Sequence, residues 1–114
     1  FIYIDDVSAA TFLISIKGKV GNTYHISTNN IISIRNLIKM ICEMTKIKFN
    51  KLVNITQDRI GKDSIYNLSS MKIRKELNWK PKTNLYKGLT KTLKWVDNNI
   101  TFLKQQKIHY IHKK

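Results

Sequence analysis

A chain of 114 residues, 42% hydrophobic and 25% charged, has the length of a single domain and an ordinary globular composition, and is short for a complete nucleotide-cofactor enzyme. The net charge of +14 raises nucleic acid as a partner, but the basic residues are lysines apart from Arg35, Arg59 and Arg74. They are spread along the chain, the pattern of a solvated basic surface rather than a base-reading or phosphate-reading patch, so nucleic-acid binding is not expected.

The single cysteine, Cys42, excludes an internal disulfide and a cysteine-based metal framework and fits a reducing, cytoplasmic compartment. His25, His109 and His112 are not paired with acids at ligand spacing, so no metal is expected. No apolar run approaches the roughly 18 residues of a membrane span. The opening Phe1-Ile2-Tyr3-Ile4-Asp5-Asp6 carries neither an initiator methionine nor signal-peptide features, and the expectation is a fragment.

In chain order, Phe1 to Ile4 is β-branched and aromatic and predicts the end of a strand. Asp5 or Asp6 is expected to cap a helix from Val7 to Lys17, with Ala9, Ala10, Leu13, Ile14 and Ile16 as its inner face and Gly18 and Gly21 as its break. Thr23 to Ser27 alternates as a strand. Ser33 then caps a second helix whose stripe is Ile34, Leu37, Ile38, Ile41, Cys42 and Met44. Lys51 to Thr56 reads as a third strand leading into a polar loop. Ser69 or Ser70 caps a helix through Met71, Ile73, Arg74 and Leu77, and Pro81 lies beyond its end. Asn84 caps a last helix with Leu85, Leu89, Leu93, Val96, Ile100 and Leu103 on one face. Residues 1–104 form the structured portion and residues 105–114 a basic, polar tail.

Catalytic constellations are missing from the pattern. No Ser-His-Asp or Cys-His set is suggested, and neither a Gly-x-Gly-x-x-Gly nor a Walker loop occurs. Tyr110 to Lys114 has Tyr-x-x-x-Lys spacing, but in the terminal tail, where chance explains it. The one concentration of chemistry is Gln57 to Asn67, which contains Asp58, Arg59, Gly61, Lys62 and Asp63. An arginine after an apolar segment can pair with a diphosphate bidentately, while glycine permits close backbone approach. Lys62 adds a point charge and Asp63 an acceptor for a sugar or base hydroxyl. The alternative is a solvated turn in which Arg59 pairs with Asp58 or Asp63.

Several blocks resemble a known family. Phe1 to Ala10 is similar to the F-I/V-Y/H-V-D-D-V-A-x-A segment of extended short-chain dehydrogenases acting on nucleotide sugars. Gly21 to Ser27 resembles their G-E-x-Y-N-I-G strand, with His25 and Ser27 where Asn and Gly are usual. Asp58 to Tyr66 is similar to D-R-P-G-H-D-x-R-Y of the dTDP-glucose 4,6-dehydratase branch, with Ile60 for proline and Lys62 for histidine. Lys72 to Pro81 resembles K-I-x-R-E-L-G-W-x-P, and Gly88 to Trp95 resembles G-L-x-x-T-V-x-W. Ile32 to Arg35 is closer to the decarboxylase and epimerase relatives, which leaves the base open between dTDP and UDP.

The resemblance implies an α/β fold, the C-terminal substrate-binding portion of an NAD(P)-binding Rossmann-type nucleotide-sugar enzyme with the Rossmann core largely missing. It implies a dTDP- or UDP-glucose 4,6-dehydratase, a lyase that oxidises C4 of the hexose with NAD, eliminates water across C5 and C6 and returns the hydride at C6. NAD and the catalytic residues would belong to the missing N-terminal domain, leaving this chain inactive alone. Arg59, Gly61, Lys62 and Asp63 would line the nucleotide-sugar site, and the full-length enzyme would be a homodimer. A related epimerase or decarboxylase is the alternative within the family, and a basic nucleic-acid-binding module is the alternative outside it.

Overall fold

The computed structural model describes residues 1–57, 61, 65 and 67–106. Among these the regular elements are helices: α1 (Ile4–Lys17), α2 (Ile34–Thr45), α3 (Phe49–Leu52), α4 (Met71–Leu77) and α5 (Leu85–Lys104). No strand occurs among the described residues, so the three predicted strands are corrected. Ile4 opens α1, Thr23 to Ser27 is irregular, and Lys51 and Leu52 close α3. A strand exists only through a hydrogen-bonded partner, and these segments have none here.

The start of α1 also differs from expectation. Tyr3, in extended conformation, occupies the N-cap without a side-chain hydrogen bond, and the helix begins three residues before Val7. Asp5 and Asp6 therefore lie within the first turn, where negative charge still favours the helix end. Asp6 is buried and points away from its own helix. Its two carboxylate oxygens accept from the backbone N–H groups of Lys82 (3.0 Å) and Thr83 (2.9 Å), so it staples the segment before α5 to the start of α1.

Other boundaries follow the sequence signals. Ser33 Oγ accepts from Asn36 N–H (3.2 Å) and Asn84 Oδ1 from Lys87 N–H (2.9 Å), each meeting one orphan donor of a first turn. Lys46 (φ 57°) and Asn78 (φ 51°) end α2 and α4 in the left-handed region. Ser70 holds the N-cap position of α4, but its hydroxyl is engaged elsewhere; Ser69 Oγ accepts from Met71 N–H (3.4 Å).

Ala10 of α1, Ile73 of α4 and Trp79 form the buried centre, with Ile2, Leu13, Ile14, Tyr24, Ile26 and Leu77 packed around it. Gly88 brings α5 against the N-terminal segment: a Cβ there would sit 3.2 Å from Tyr3 Cβ. Lys91 Nζ lies 4.9 Å from the Tyr3 ring centroid on the same contact. The inner face predicted for α1 is only half correct. Ala10 is buried, but Ala9 and Ile16 are exposed, and so are Ile4 and Phe12. The accessible surface is 10386 Å², against about 6500 Å² for a compact monomer of 13.4 kDa. Among the described residues, large apolar side chains such as Val20, Ile31 and Ile55 are exposed. Among the described residues, no helix is long and apolar enough to cross a membrane.

Candidate functional site

The predicted site lies between α3 and α4. Of its four residues, Gly61 is described, while Arg59, Lys62 and Asp63 fall outside the described residues. Gly61 has φ +79°, a conformation that costs an L-residue about 1–2 kcal/mol. Among the described residues nothing lies within 4 Å of where its Cβ would be.

Where this segment runs toward α4, it is tied down by polar contacts. Ser27 Oγ donates to the Leu68 carbonyl, and Ser70 Oγ donates to the Ser27 carbonyl at 3.1 Å. Arg74, one helical turn after Ser70, donates from Nε to Ser70 Oγ (2.9 Å) and from Nη2 to the Ser27 carbonyl (3.4 Å). Its guanidinium also covers the buried Trp79 ring, 5.9 Å from the centroid. Each hydroxyl proton in this chain is used once, so the network has a single direction from Arg74 to Leu68.

Two cavities flank the network. The larger, about 430 Å³, lies between the Phe1–Tyr3 segment, residues 28–32 and the start of α5, with Arg74 and Lys82 on its wall. The smaller, about 230 Å³, has Ser27, Asn67 and Leu68 on one side and Ile31 and Ile32 on another. Both share Phe1, Ile2, Thr28, Asn30 and Ile32. Arg74 was not singled out by sequence reasoning. The available signals were the Ser70–Arg74 spacing on one helix and Ser27 itself, which stands where the family pattern has glycine.

Among the described residues, no group of three His, Cys, Asp or Glu could hold a metal ion. Every buried side-chain polar atom among them has a hydrogen-bond partner. The sequence contains no Gly-x-Gly-x-x-Gly fingerprint of a dinucleotide site.

No family model matches the chain. Among curated proteins it is 31% identical over 105 residues to the dTDP-glucose 4,6-dehydratase of Haemophilus influenzae, covering 83% of this chain and 31% of that enzyme. Its backbone superposes with a TM-score of 0.78 on the dTDP-glucose 4,6-dehydratase of Bacillus anthracis crystallised with NAD, at 27% identity, covering 89% of this chain and 32% of that one. The Bordetella bronchiseptica enzyme WbmF, crystallised with NAD+ and UDP, matches at TM-score 0.72 and 29% identity, over 92% of this chain and 30% of WbmF. The chain spans about a third of the length of the curated relatives it matches. The α/β expectation is met at this level, since the structural neighbours are Rossmann-type NAD-binding dehydratases and the chain matches a segment of them, while the regular elements among its own described residues are helices. Over most of its length the chain is thus similar to about a third of dTDP-glucose 4,6-dehydratases, in sequence and in backbone.

Proposed function

We propose that the chain is the C-terminal, nucleotide-sugar-binding portion of an NAD-dependent dTDP- or UDP-glucose 4,6-dehydratase and is inactive by itself. The observation that supports this reading best is the parallel likeness, in sequence and in backbone, to dTDP-glucose 4,6-dehydratases over about 90% of the chain. Arg59 pairs with the diphosphate in this reading, Lys62 adds charge, Gly61 lets the backbone approach, and Asp63 accepts from a hydroxyl. NAD supplies hydride chemistry when bound by the remainder of the enzyme, which is a homodimer in its full-length form. The chain's own residues bind and orient the sugar nucleotide.

Incubating the purified chain with dTDP-glucose and NAD+, and separately with UDP-glucose, tests the assignment. The expected result is retention of the sugar nucleotide in equilibrium dialysis without turnover; turnover by the chain alone contradicts it. The net charge of +14 favours a second reading, a basic nucleic-acid-binding module. Salt-dependent retention on DNA that is indifferent to Arg59→Ala would select that reading instead.

A further inference from the structure

We propose that Arg74 is a positioning residue for the nucleotide-sugar site, acting through Ser70 and Ser27 on the Leu68 carbonyl. The inference rests on the nucleotide-sugar reading of the segment between α3 and α4, but its geometry lies wholly in described residues. Arg74 is half-buried, with its guanidinium held over Trp79, so it is fixed by the core rather than by solvent. Its Nε–H at 2.9 Å occupies a lone pair of Ser70 Oγ and leaves that hydroxyl's proton for the Ser27 carbonyl. Ser27 in turn spends its own proton on Leu68. The core thereby sets the position of Ser27 and Leu68, which form one wall of the smaller cavity.

The connection is a property of this chain's own residues. Glycine at position 27, as in the family pattern, could not donate a side-chain hydrogen bond to Leu68. Arginine at position 74 is the one side chain whose fork can serve Ser70 Oγ and the Ser27 carbonyl together. A lysine would keep the charge and lose the fork.

The test compares Arg74→Ala, Arg74→Lys, Ser27→Ala and the double variant Arg74→Ala/Ser27→Ala with the native chain, using Thr45→Ala as a control that removes a part-buried hydrogen bond to the Ile41 carbonyl at the end of α2, outside the lining of both cavities. Calorimetry with UDP and with dTDP measures affinity, and amide hydrogen exchange of residues 65–69 reports the tether. Arg74→Ala and Ser27→Ala are each expected to weaken binding about tenfold. The double variant should be no weaker than the weaker-binding single variant, and Arg74→Lys should recover part of the loss. Thr45→Ala should lower the unfolding midpoint and leave affinity unchanged. Affinity within about twofold of native in Arg74→Ala, or additive losses in the double variant, overturns the proposal. If the native chain binds neither nucleotide, the nucleotide reading fails and the tether is judged by exchange alone. Faster exchange at residues 65–69 in Arg74→Ala then supports the tether alone, the positioning role being overturned with the nucleotide reading, and unchanged exchange overturns the tether as well.

Discussion

Asp6 illustrates how a residue can be correctly noticed and wrongly employed. Its position at the start of an apolar periodic run suggests a helix cap, yet its carboxylate reaches 76 residues ahead to the backbone N–H groups of Lys82 and Thr83. A local motif cannot announce a partner that distant, because the partner is two backbone donors and any residue type supplies those. Asp6→Ala removes two charge-assisted bonds from a buried site and should cost about 3 kcal/mol, read as a lowered urea midpoint. Asp6→Asn, which keeps one acceptor, should lose less. Arg74 carries the complementary lesson. Its Ser70 partner lies one helical turn away, a spacing visible in the sequence although no pairing is read there, while the Ser27 carbonyl, 47 positions earlier, leaves no local signal.

Among the elements, the two longest polar–apolar helices, α2 and α5, were the most legible, because a serine or asparagine cap and a 3.6-residue stripe both signal locally. Ser33 and Asn84 make the expected cap bonds. The predicted strands were not legible in the same sense, since their apolar alternation records a preference that only a neighbouring strand can realise. Helix ends offer a direct check. Lys46 closes α2 at φ 57°, a conformation glycine adopts without penalty. Lys46→Gly should raise stability by about 1 kcal/mol, measured as an increased thermal midpoint. Unchanged or lower stability would show that the left-handed cap is not where strain resides.

At the scale of the whole molecule, the core is small for the chain. Ile73 is the one large side chain fully enclosed among the described residues, while Phe12, Ile16, Ile31, Trp95 and Phe102 are exposed. α1 carries Ala10, Leu13 and Ile14 inward and Ile4, Phe12 and Ile16 outward, with only Asp5, Asp6 and Lys17 charged. A helix apolar on opposite sides suits a place between two layers, and among the described residues only its inner side is covered. The 114-residue chain should therefore bind the dye ANS strongly and unfold with a urea m-value below that of a compact domain of equal length, about 1–3 kcal/mol/M. Weak dye binding with a steep cooperative transition would mean that these faces are covered in solution. The family resemblance was legible at this scale although the tertiary contacts were not, because it rests on several short blocks in the right order.

The central claim is that the segment around Gly61 contacts the diphosphate of a nucleotide sugar, with Arg59 as the principal contact. Isothermal titration of UDP and of dTDP into the chain and its Arg59→Ala variant tests it most directly. Single-site binding of at least one nucleotide is expected, weakened about 30-fold in the variant through loss of a bidentate charged contact. No binding of either nucleotide at millimolar concentration, or equal affinity in the two proteins, would contradict it.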